Sequence, residues 1–106
     1  MKIDWSSRAE EATHYLTQTD LKFAQLRVDH EREKRRAKRV WSAVFERMKG
    51  SVESRKAQAE DSEEYQNAVN NELAALLEYE KMRNTRDTAE TLIEFWRSWN
   101  KAVGGV

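Results

Sequence analysis

No proline occurs anywhere in the 106 residues, and only one of the three glycines, Gly50, lies outside the C-terminal tail. Proline breaks a helix interior by removing an amide donor and crowding the preceding turn, and glycine weakens it entropically. The chain therefore holds two long runs in which nothing interrupts a helix. Ser7 and Glu10 have the spacing of a capping box, which predicts a first helix over about 7–49. Gly50 suits its C-terminal cap, because glycine tolerates a left-handed backbone. Ser51 is the next candidate N-cap and opens one or two turns within about 50–60. Asp61 and Glu64 repeat the capping-box spacing and predict a last helix over about 62–103. Its weakest stretch is Asn84-Thr85-Arg86-Asp87, where a kink is easiest.

The apolar residues follow a helical seam. Leu16, Thr19, Phe23, Leu26, His30, Ala37, Val40 and Val44 alternate steps of three and four, with a gap around Glu33. Tyr65, Val69, Leu73, Leu76, Leu77, Tyr79, Met82, Ala89, Ile93, Trp96 and Val103 supply the second stripe. Two long helices with a short connector predict an all-α fold, a long antiparallel hairpin spanning a single domain, 1–106. A turn centred near residue 56 sets Phe23 near Ala89 and Leu16 near Trp96. Trp5, Tyr15, Phe95, Trp96 and Trp99 then gather at the open end, and Trp41, Phe45, Met48 and Tyr65 near the turn. A lone hairpin buries too little surface for four tryptophans. The expectation is an oligomeric helical bundle, a homo-oligomer whose interface uses Phe23, Trp41, Phe45, Ile93, Phe95, Trp96 and Trp99.

Composition narrows the function. There is no cysteine, hence no disulfide framework, thiolate metal site or cysteine nucleophile. No apolar run is long enough to span a bilayer, so no membrane role is expected. Met1-Lys2-Ile3-Asp4-Trp5 lacks the apolar stretch of a secretion signal, and the expected location is the cytoplasm. The mean hydropathy of −0.97 would suit a disordered chain, but the ten aromatic residues argue against that. His14 and His30 read as seam or interfacial residues, not as metal ligands. No phosphate-cradling, nucleophile-elbow or metalloprotease motif is present. No enzyme activity, catalytic residue, metal or cofactor is expected.

Charge is unevenly spread although the net charge is zero. Residues 1–56 hold 14 basic and 9 acidic residues, and residues 57–106 hold 5 and 10. The cations concentrate at Arg32, Lys34, Arg35, Arg36, Lys38 and Arg39, with Arg55 and Lys56 near the turn. On a helix Arg32, Arg36 and Arg39 share a face. Such a surface suits a nucleic-acid backbone, and Trp41 lies where a base could stack. The competing reading pairs these cations with Glu72, Glu78 and Glu80 across the hairpin, or leaves them as a solvated face.

The order of features resembles the small phage recombination mediators of the UvsY type. A basic helix, Glu31-Arg-Glu-Lys-Arg-Arg-Ala-Lys-Arg-Val40, precedes the Gly50-Ser51 turn and Arg55-Lys-Ala-Gln-Ala59. A long helix opened by Asp61 follows and ends in the aromatic stretch Ile93-Glu-Phe-Trp-Arg-Ser-Trp99. The resemblance implies an oligomer that binds single-stranded DNA and helps load a recombinase. Arg32, Lys34, Arg35, Arg36, Lys38, Arg39, Arg55 and Lys56 would be the DNA contacts, and the C-terminal aromatic helix the assembly element. The alternative is a structural or regulatory adaptor, such as a phage assembly factor or an inhibitor of a host protein. It would act by protein contact alone.

Overall fold

A computed structural model describes residues 4–104. Residues 1–3 of the N-terminal stretch and Gly105 of the tail lie outside the described residues. Three helices follow in order: α1 Trp5–Arg47, α2 Val52–Asp61 and α3 Glu63–Ala102. No strand occurs among the described residues. The all-helical class and the hairpin of two long helices match the sequence reading.

The caps explain the boundaries and correct two of them. α1 starts before Ser7, because Asp4 is the capping side chain: its Oδ1 accepts from the Ser7 amide at 3.1 Å. Ser7 lies inside the first turn. Likewise α3 is capped by Ser62 and not by Asp61. The Ser62 hydroxyl donates to the Ala59 carbonyl at 2.8 Å and accepts from the Tyr65 amide at 3.2 Å. One serine thus ends α2 and begins α3, so α2 runs close to three turns instead of one or two. Ser51 caps α2 as expected, whereas α1 ends at Arg47, two residues short of the expected end, so Gly50 sits in the link and not directly at the helix end. Gly50 has φ +120°, and the Ser51 hydroxyl accepts from the Ser54 amide at 3.1 Å.

The Asn84–Asp87 stretch stays helical within α3. Thr85, Thr88 and Thr91 each donate the hydroxyl to the carbonyl four residues earlier. Their polar atoms are satisfied on the helix itself, so they do not compete with it for backbone partners.

Packing divides the chain into two compact units, residues 4–24 with 80–104 and residues 25–79. In the first, the start of α1 runs beside the end of α3. Ala9, Ala12 and Ala89 are buried there, and Trp5 meets Phe95 edge-on with ring centroids 4.7 Å apart. Arg86 reaches across to α1, donating to the Leu16 carbonyl at 2.9 Å, the Thr19 hydroxyl at 2.7 Å and Asp20 at 2.6 Å. Its guanidinium also lies 4.9 Å from the Phe23 ring centroid. Phe23 is thus met by Arg86, which lies three residues before the Ala89 that a turn centred at residue 56 sets near it.

In the second unit the middle and end of α1, all of α2 and the start of α3 pack around Val44, which is fully buried. Ala37 on α1, Ala59 on α2 and Ala68 on α3 are the other buried residues of this unit. Alanine on each helix lets the backbones approach closely but gives little apolar area, so the core is thin. Arg47 forms a two-pronged pair with Glu64, and the His30 and Tyr79 rings lie parallel at 6.4 Å.

Candidate nucleic-acid interface

The basic run lies on α1 in the second unit. Arg32, Lys34, Arg35, Arg36, Lys38 and Arg39 are all exposed, whereas Ala37 among them is buried. The helix repeat therefore turns one small residue inward and the cations outward. Arg32, Arg35 and Arg39 line a shallow groove with Arg27, Val28 and Glu31. Arg32, Arg36 and Arg39 also border a second, with Glu33, Val40 and Ala43.

Few carboxylates neutralise this surface. Arg32 lies 3.3 Å from Asp29, one turn away on its own helix. Among the described residues, Lys34, Arg35, Arg36, Lys38 and Arg39 make no ion pair. The expected alternative, a zipper to Glu72, Glu78 and Glu80, does not hold these five. Glu80 pairs with Arg83 on its own helix at 3.2 Å, and Glu64 is taken by Arg47. The solvated-face form of that alternative fits the geometry.

Arg55 and Lys56 stand apart from the run. Arg55 is half-buried, with Nε and Nη2 donating to the Phe45 carbonyl at 3.3 and 3.2 Å and its guanidinium 4.1 Å from the Phe45 ring centroid. Its charge is engaged in fastening α2 to the end of α1. Lys56 is exposed. Trp41 is half-buried and stacked on Phe45 at 5.2 Å, so one neighbour already occupies part of its surface.

The expected interface aromatics fall in both units. Phe23, Trp41, Phe45, Ile93 and Trp96 are half-buried, while Phe95 and Trp99 are 48% and 44% exposed. Leu73, Leu77 and Val103, read as part of the second apolar stripe, are more than half exposed, and Leu21 and Val52, which the pattern did not single out, are exposed as well. Glu33 was visible only as a gap in the seam. It falls in step between His30 and Ala37, and its Oε2 is buried without a hydrogen-bond partner. Strict heptad counting through the gap would have placed it there.

Among the described residues no cluster of three or more His, Cys, Asp or Glu side chains is placed to hold a metal ion. No helix among them is long and apolar enough to cross a membrane. Comparison with protein-family models, curated proteins and solved structures found no match.

Proposed function

We propose that this protein binds single-stranded DNA through the exposed basic face of α1 and acts as a phage-type recombination accessory protein. The observation that supports the reading is the row of five cations, Lys34, Arg35, Arg36, Lys38 and Arg39, without ion pairs among the described residues. An exposed helix bearing unneutralised cations at close spacing gains free energy by releasing the counterions of a phosphate backbone. No bond chemistry is involved. Recombinase loading is inferred from the resemblance to the UvsY-type mediators.

Substitution of Arg35→Glu together with Arg39→Glu tests the reading. Both side chains are exposed, so the circular dichroism spectrum stays helical while oligonucleotide binding falls by more than about tenfold. Retention of full affinity would remove the basis of the proposal. Loss of helicity would make the cations part of the fold.

A second reading, a helical adaptor working by protein contact, is favoured by the apolar residues left in solvent at Phe95, Trp99 and Val103. Replacing Phe95 and Trp99 by Ser separates the two. Under the adaptor reading this abolishes partner capture, while under the DNA reading affinity for the oligonucleotide is unchanged.

A further inference from the structure

Glu33 and Arg36 sit one helical turn apart on α1, a spacing at which side chains meet. No ion pair joins them among the described residues. Glu33 Oε2 is instead out of solvent with no hydrogen-bond partner. Arg36 is exposed and makes no ion pair. Both border one groove of about 470 Å³, together with Arg32, Arg39, Val40 and Ala43. That volume falls within the range of about 300–1,000 Å³ typical of small-ligand sites. Lys34 and Lys38 border neither this groove nor the neighbouring one. The groove therefore combines guanidinium donors, an unmet carboxylate acceptor and two small apolar side chains.

One nucleobase matches that combination. Guanine carries two adjacent acceptors, O6 and N7, which the rigid fork of a guanidinium meets with two N–H groups. It also carries two adjacent donors, N1–H and the N2 amino group, which a carboxylate meets with its two oxygens. Adenine, cytosine and thymine each lack such a pair of acceptors on one edge beside such a pair of donors on another. In a single strand both edges of the base are open. A donor that reaches Glu33 breaks no bond already made, because the buried oxygen has none to lose.

We infer that this groove binds a guanine base of the single strand. Arg36 donates to O6 and N7, Glu33 accepts from N1–H and the amino group, and Val40 and Ala43 lie against the ring. Glu33 is half-buried, and the last torsion of a glutamate is broad and roughly twofold, so its carboxyl turns an oxygen toward a base in the groove. Arg35 and Arg39 stay with the phosphates. On a strand without guanine Arg36 is free for a phosphate like its neighbours. The inference rests on the nucleic-acid reading and adds a base preference to it. It also gives Glu33 a use that sets its cost to the free protein against a gain on binding.

The test measures affinity of the full chain for labelled thymine strands in which every second base is left as thymine or replaced by guanine, 7-deazaguanine or hypoxanthine. At one salt concentration the guanine strand is expected to bind about tenfold tighter than the thymine strand. 7-Deazaguanine lacks the N7 acceptor and hypoxanthine lacks the amino donor, and each is expected to bind about threefold or more weaker than guanine. Glu33→Met should remove the hypoxanthine penalty, and Arg36→Lys the 7-deazaguanine penalty. Each comparison is a ratio between strands on one protein, so a general change in charge-driven affinity cancels. Circular dichroism verifies helicity; if Glu33→Met loses it, the exposed, charge-conserving Arg36→Lys carries the test. Free dGMP at the same base concentration is expected not to displace the strand, since it lacks the neighbouring phosphates; displacement would overturn the strand as the source of the base. Guanine and thymine strands bound alike would overturn the inference and leave the nucleic-acid reading standing. Binding of neither strand would overturn both. A guanine preference untouched by the two variants would overturn the assignment to this groove.

Discussion

Arg86 Nη2 lies 2.6 Å from Asp20 Oδ1, joining residues 66 positions apart in the chain. The pair is unequal: the Arg86 side chain is 11% exposed and that of Asp20 is 72%. The arginine also donates to the Leu16 carbonyl and the Thr19 hydroxyl and lies over Phe23. It therefore acts as a covered clamp whose outer end reaches a solvated carboxylate. Arg86→Met is expected to lower unfolding free energy by about 3 kcal/mol, because several charge-assisted bonds are lost together. Asp20→Asn should cost less than about 1 kcal/mol, as for an exposed ion pair. Urea unfolding of both variants checks the asymmetry, and equal losses would contradict it.

The Arg47–Glu64 pair makes stability depend on acid. Hydrogen bonds from Arg47 hold the Glu64 carboxyl below its ordinary range; desolvation opposes this and the guanidinium charge adds to it. Arg47 is raised by the same bonds and stays protonated throughout. A carboxyl whose folded value is lowered contributes stability above its unfolded value, about pH 4.3, and loses it as pH falls through the folded value. Glu64→Gln should therefore lower Tm at neutral pH, with the difference from wild type shrinking below about pH 4.3. Both side chains are half-exposed, so added salt should shrink it as well. Thermal melts across pH test this, and a difference that persists unchanged in acid would refute it.

Gly50 is the hinge residue between α1 and α2, and its φ of +120° is closed to L side chains without strain. An added Cβ would also lie 3.4 Å from the Ser54 hydroxyl oxygen. Gly50→Ala is expected to destabilise the chain by about 1–2 kcal/mol. Gly104→Ala, with nothing within 4 Å of the added Cβ, serves as the comparison at a chain end. Gly104 also has a positive φ, +80°, so the comparison reads the added contact at Ser54 and the position between two helices, and a loss at Gly50 no larger than at Gly104 would contradict the prediction.

Local signals carried most of the fold. The absence of proline, the single internal glycine and the Ser51 cap marked the helices, since each acts on its immediate neighbours. The misplaced caps share a cause. Asp4 precedes Ser7 by three residues and Ser62 follows Asp61 by one, so several good capping residues compete within one turn. Only the final backbone geometry selects among them. Arg86 was illegible because its partners depend on the register between two helices. An arginine in a polar stretch reads as solvent-facing until that register is known. The exposed row from Lys34 to Arg39 was legible as a run of cations, whereas the structural use of Arg55 required knowing that α2 folds back on Phe45.

Glu33 marks a local conflict in the second unit. Its position in the seam calls for an apolar side chain, yet it places a carboxylate oxygen out of solvent with no partner. Such an unmet acceptor costs about 1–3 kcal/mol. Glu33→Met is expected to raise the urea midpoint by a corresponding amount with the slope unchanged. A lower midpoint would mean that the carboxylate contributes to the fold.

The most direct measurement is fluorescence anisotropy of a labelled single-stranded oligonucleotide titrated with the protein over a range of salt concentrations. If the five unpaired cations from Lys34 to Arg39 each neutralise a phosphate, log affinity falls against log salt with a slope of about −3.5. Arg35→Glu with Arg39→Glu should flatten that slope as it weakens binding. No binding at low salt, or an affinity indifferent to salt, would contradict the account and leave the basic face of α1 to a protein partner.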